Sequence, residues 1–193
     1  MTARILVTGF QPFSGHITNI SQQVVELISS TEDRRYQVES RVLSVDEEGS
    51  RETAKRIRSG EKFDAVLHMG FSEDADAILI ERFARNRLQM KTPDNSGRMV
   101  KSEIICQGDG ILETNVKKSQ IDFHLEGVIG IRWNNDAGGF VCNETYYRSL
   151  FAANERNSPI VLFVHLPSDE IISIKQQLGP IKKICDALES IVN

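Results

Sequence analysis

A chain of 193 residues with 23 Lys+Arg against 27 Asp+Glu carries a net charge of −4, and its basic residues form no long run, which argues against nucleic acid or an anionic membrane as partner. No apolar stretch approaches the ~20 residues that span a bilayer, and no basic-then-apolar leader pattern is present, so a cytoplasmic protein is expected. Three widely spaced cysteines, Cys106, Cys142 and Cys185, give neither a disulfide framework nor paired metal ligands. At this length one domain over residues 1–193 is expected, with neither metal nor cofactor.

The chain alternates strand and helix patterns. Arg4 to Thr8 is a short apolar run ending at Gly9, as a buried strand does, and Asn19 can cap a helix whose Ile20, Val24, Leu27 and Ile28 share a face. Tyr36 to Val45 reads as a strand, Asp46 caps a second helix to about Arg58, and Ala65-Val66-Leu67 is a third strand ending near Gly70. Gly9 and Gly15 match neither the dinucleotide-binding pattern nor a P-loop, so no phosphate cradle is indicated. Residues 101–114 predict a hairpin about Gly108-Asp109-Gly110; a helix from about Asn115 to Leu125 and a strand from Val128 to Trp133 follow. Pro159 to Val164 is another buried strand, and a last helix buries Ile181, Ile184, Leu188 and Ile191. The order predicts an α/β three-layer sandwich, a twisted, mostly parallel (mixed) sheet with helices on both faces and functional residues at the carboxyl ends of strands.

Between the last two strands, Gly138 and Gly139 allow a close turn, and Cys142 opens a segment in which Tyr146, Tyr147, Leu150 and Phe151 repeat at helical spacing. A thiol there sits at the positive end of a helix, which favours the thiolate that attacks carbonyl carbon. His165, ending the strand that starts at Pro159, can serve as general acid and base. Taken alone, each has a plainer reading, Cys142 as a small buried hydrophobe and His165 as a strand-end residue with a backbone partner.

Five segments in order change the balance. Val7-Thr8-Gly9-Phe10-Gln11-Pro12-Phe13-Ser14-Gly15 with Asn19 and Ser21, Glu81-Arg82-Phe83-Ala84-Arg85-Asn86, Pro93 to Gly97, Ala137 to Asn143, and Phe163-Val164-His165-Leu166-Pro167 follow one another between residue 4 and residue 167 in the order, and with nearly the spacing, of one family's motifs. As a set they resemble the signatures of the pyroglutamyl peptidase I family of cysteine peptidases, which remove an N-terminal pyroglutamyl residue. The resemblance implies Cys142 as nucleophile, His165 as base and then acid, and Glu81 as the carboxylate that orients the imidazole, working through a thioester. It also implies that Phe10, Phe13, Phe140 and Val141 line a pocket for the flat, uncharged lactam ring. Asn19, Phe71 and Lys91 are further candidates for contact with the peptide substrate. Homo-oligomers, often tetramers, are what the resemblance implies for assembly.

The departures bear on substrate. Lys91 stands where the family has an arginine near the active site, and it lacks the planar fork. Glu73, Asp74 and Asp76 replace a glycine turn and a cation, so a bordering pocket would have its field reversed and would favour a cation near the scissile bond. Two functions remain open on the sequence, an active peptidase and a re-purposed member that binds a small molecule or peptide.

Overall fold

The structure is a computed structural model that describes residues 2–30 and 35–193. In chain order its elements are β1 (Ala3–Phe10), α1 (Ile20–Ser29), β2 (Tyr36–Leu43), α2 (Glu47–Arg58), β3 (Ala65–Phe71), β4 (Ile78–Glu81), β5 (Phe83–Arg85), β6 (Ile111–Glu113), α3 (Lys118–His124), β7 (Ile131–Asn134), α4 (Val141–Arg156), β8 (Ile160–Leu166) and α5 (Ile174–Val192). Six strands make one sheet in the order β2-β1-β3-β8-β4-β7. β1, β2, β3 and β8 run parallel, while β4 runs antiparallel to β8 and parallel to β7.

β1, β3 and β8 have strands on both sides and helices on both faces, so their sequences are nearly continuous apolar runs without alternation. One face packs Val24, Val25 and Ile28 of α1, Ile121 of α3 and Ile181, Ile184 and Leu188 of α5. The other packs Ala54 and Ile57 of α2 against Tyr146, Tyr147 and Leu150 of α4. The expected mixed three-layer sandwich is the one observed. Asn19 and Asp46 are the N-caps expected of them, accepting from Ser21 N–H and Gly49 N–H at 2.9 Å each.

Several expectations change. Leu27 is 43% exposed and Ser21 and Val25 take its place in the buried face of α1. Residues 101–114 form no hairpin. Ile111–Glu113 pairs instead with Phe83–Arg85, and Glu103 bridges to Leu88, because both stretches lie under α4 and find their backbone partners there. The third helix is shorter than expected, and the strand after it begins at Ile131. The last helix begins earlier, at Ile174, where a Ser173–Gln176 capping box satisfies its first N–H groups.

His68 of β3 is fully buried between two hydroxyls, with Nδ1 2.7 Å from Thr8 Oγ1 and Nε2 3.0 Å from Ser149 Oγ. Burial pushes its pKa down to about 3, so the folded protein holds it neutral. The unfolded chain takes up that proton below pH ~6.5, so folding stability is lost as the pH falls, by ~1.4 kcal/mol per unit. Between pH 7 and pH 5 the wild type is expected to lose about 2 kcal/mol more stability than His68→Gln, read from urea midpoints. Equal losses would show that His68 does not carry the acid sensitivity.

Candidate active site

His165 stands near the end of β8, where the parallel pairing sets Gly70 of β3 beside it and the antiparallel pairing sets Leu79 of β4 on its other side. Glu81 is two residues further along β4, opposite Phe163, so it shares a face with His165 and lies deeper in the sheet. Its carboxylate is fully buried and accepts from His165 Nδ1 at 2.7 Å. Asn134, at the end of β7 and paired with Glu81, donates Nδ2 to both carboxylate oxygens, at 2.9 Å and 3.1 Å, and to Asp136 O at 3.0 Å. The Tyr146 hydroxyl donates to the backbone carbonyl of Glu81 at 2.9 Å. Every polar atom of the buried carboxylate is thereby satisfied.

Cys142 arrives on the first turn of α4, which packs on the same face of the sheet as Phe163, with extended Phe140 at the N-cap. The turn before it needs both glycines. Gly138 has φ +81°, which a side chain resists, and a Cβ on Gly139 would lie 2.9 Å from the Gln89 carbonyl. The thiol and the His165 imidazole line the same cleft, close enough to interact electrostatically. Because Nδ1 is taken by Glu81, Nε2 is the nitrogen that can serve the sulfur. Burial disfavours the charged imidazolium, but the Cys142 and Glu81 partners outweigh it and hold the His165 pKa well above its ordinary value. A Cβ on Gly70 would lie 2.8 Å from Cys142 Sγ, so the thiol occupies space that only glycine leaves open.

A cleft of about 420 Å³ opens over these groups, walled by Phe10, Phe13, Phe71, Phe140 and Val141. The Phe13 and Phe140 rings are 5.8 Å apart. Asn19 also lines the cleft, but its amide is spent on Ser21 and on the Gln11 carbonyl at 3.1 Å, holding the loop that carries the phenylalanines. Lys91 is not brought to this cleft. It is exposed and lines an adjoining groove. Of the acidic loop only Asp74 and Ser72 reach the cleft; Glu73 pairs with His16 at 2.8 Å and Asp76 with Arg132 at 2.6 Å. Arg132 offsets the charge of Asp76, whereas Asp74 keeps its carboxylate at the cleft with no ion pair among the described residues.

Sequence reasoning missed Asn134, Asp136 and Leu79. The polar triplet Asn134-Asn135-Asp136 at a strand end was the available signal for the first two. Other residues of the matching segments hold loops in place. Asn143 receives Arg85 N–H at 2.8 Å and donates to the Arg85 and Arg87 carbonyls at 2.9 Å each, while Asn86 receives Ile105 and Cys106 N–H at 2.9 and 3.1 Å. Asn95 donates to the Pro12 carbonyl at 2.9 Å. Glu144 and Asp94, both buried, are bridged by Arg98 at 2.7 and 2.8 Å, and Arg148 adds a 2.7 Å contact to Glu144, tying the 94–98 loop to α4.

A thiol on a helix N-terminus, an imidazole and a buried carboxylate in one cleft of an α/β sandwich define a thiol-type hydrolase. The chain belongs to the pyroglutamyl peptidase family, whose model matches residues 3–191, and it is a cysteine-type peptidase of that family. It is 30% identical over 168 residues to a pyrrolidone-carboxylate peptidase of Pyrococcus furiosus, covering 85% of this chain and 80% of the relative. A protein of the same name from Thermosipho africanus is 30% identical over 167 residues, covering 85% and 81%. The fold is similar to the crystal structure of the pyrrolidone carboxyl peptidase from Fervidobacterium islandicum AW-1, with a TM-score of 0.89 at 28% identity over 97% of this chain and 99% of that one. No helix among the described residues is long and apolar enough to cross a membrane.

Proposed function

We propose that the protein removes an N-terminal pyroglutamyl residue from peptides, with Cys142 as nucleophile, His165 as acid–base and Glu81 as the carboxylate that orients it. The observation that carries this reading is a thiol and an imidazole lining one apolar cleft, with the imidazole held at 2.7 Å by a buried carboxylate. A pyroglutamyl ring is flat and uncharged, and the four phenylalanines of the lining suit it. The Cys142 sulfur attacks the carbonyl carbon, and N–H groups of the first turn of α4, which lack intrahelical partners, receive the oxyanion. The C–N bond then breaks as His165 gives its proton to the departing amine. Water, losing a proton to the same imidazole, hydrolyses the thioester and restores the thiol. The re-purposed binder has no comparable observation behind it. A cytoplasmic setting and assembly as a homo-oligomer, specifically a tetramer, belong to the same proposal and rest on the family resemblance.

The test is thiol-selective. Cys185 is fully buried on α5, and burial raises the Cys106 thiol pKa more than Arg148 and Arg58 lower it. Brief iodoacetamide treatment is therefore expected to label Cys142 first and to abolish hydrolysis of a pyroglutamyl amide in proportion, followed by mass spectrometry and rate together. Activity that survives full alkylation of Cys142 would overturn the assignment.

A further inference from the structure

The groove beside the active cleft, about 530 Å³ in volume, has a charge unlike that of the rest of this acidic chain. The two hollows share a rim at Asp136, Gly138 and Gly139. Four cations line the groove, and Asp136, its one lining carboxylate, is engaged by Arg85 at 3.1 Å. Arg87, Lys91 and Lys101 are left with no ion pair or side-chain hydrogen bond among the described residues. Three uncompensated cations held on one concave surface repel one another, and that arrangement favours an anion between them.

The position of the groove decides which part of a substrate meets it. With the pyroglutamyl ring against the phenylalanines and its carbonyl over Cys142, the rest of the peptide has to leave the cleft. The shared rim leads directly into the basic groove, while the acidic loop on the other border leaves the Asp74 carboxylate at the cleft, where a substrate carboxylate would be repelled. We propose that this groove is the subsite for the residues beyond the scissile bond and that it selects for a carboxylate there, through Arg87, Lys91 and Lys101. The proposal rests on the pyroglutamyl-peptidase reading above. It reverses the preference for a cation that the acidic loop suggests on sequence alone, and it gives Lys91 a place outside the ring pocket. A carboxylate can come from an acidic side chain or from the terminus of a short peptide, and the groove's chemistry is the same for both.

The experiment compares kcat/KM for pyroglutamyl-Ala amide, pyroglutamyl-Glu amide, pyroglutamyl-Lys amide and pyroglutamyl-Ala as the free acid. At low ionic strength the Glu amide is expected to exceed the Lys amide on the order of 10-fold, shrinking to about 2-fold at high salt as screening shortens the reach of the cations. If the Glu amide leads the neutral amide, the source is a side chain; if only the free acid leads, it is the terminus. Equal rates for all four, or a faster Lys amide, overturn the proposal. Lys101→Glu should lower the ratio of acidic to neutral substrate about 3-fold, and a ratio is insensitive to how much of the variant has folded. A wild-type preference that this charge reversal leaves intact places its source outside the groove and also overturns the proposal. Failure to turn over even the neutral amide removes the pyroglutamyl reading instead, and the inference with it.

Discussion

Glu81→Gln is expected to lower kcat on the order of 10⁴-fold with little change in KM, the size seen when the orienting carboxylate of a serine triad is neutralised. The carboxylate accepts from two donors at once, His165 Nδ1 at 2.7 Å and Asn134 Nδ2 at 2.9 and 3.1 Å. A glutamine keeps the shape but has one acceptor oxygen and brings an NH₂ group, so either Asn134 or the imidazole meets a donor where it needs an acceptor. If the imidazole turns its bare nitrogen toward that NH₂, the proton moves to Nε2 and the thiol loses its base. The charge that holds the imidazolium is lost as well. Asn134→Ala should cost far less, because it removes a support of the carboxylate and leaves the charge. An unchanged kcat in Glu81→Gln would demote Glu81 to a buried structural group.

Gly70→Ala is expected to cost on the order of 10²-fold in kcat, the scale of a ~1 Å misplacement of a reacting group. The added Cβ would lie 2.8 Å from Cys142 Sγ and 3.0 Å from Phe163 Cζ. The Phe163 ring is packed between His165, at 4.9 Å, and Tyr146, at 5.5 Å, so it has little room to yield. The sulfur is the atom that moves, and it moves away from the imidazole. Overpacking should also cost about 1–3 kcal/mol of stability, so kcat is to be measured at a temperature where the variant is folded, alongside its alkylation rate. A folded variant with wild-type kcat would show that the strand relaxes and the thiol does not depend on Gly70.

What the sequence made legible followed the parallel part of the sheet. β1, β3 and β8 announce themselves as apolar runs, His165 stands where a carboxyl-end rule looks for function, and Cys142 follows a glycine turn into a helical repeat. β4 obeys none of these cues. It is 4 residues long, and it runs against β8, so its carboxyl end points away from the cleft and its final residue is buried beneath His165. Periodicity cannot find a carboxylate placed that way, and only the family resemblance brought Glu81 to notice. β5 and β6 were hidden for a related reason. Their hydrogen bonds join residues 83–85 to 111–113, a separation that no local turn signal between 101 and 114 discloses.

The quartet of buried Asp94 and Glu144 with half-buried Arg98 and Arg148 has a consequence for behaviour on warming. Near room temperature such a network stabilises little, because removing the charges from water costs about as much as their attraction returns. Heating shrinks that hydration cost, so the network holds relatively better as the temperature rises. Glu144 lies two residues after Cys142 on the same helix, and Arg98 fixes the neighbouring loop to it at 2.7 Å. The helix turn that bears the nucleophile is thus moored by the class of contact that heat erodes least. Inactivation of a hot sample is then expected to track cooperative melting of the whole fold rather than early fraying of its centre.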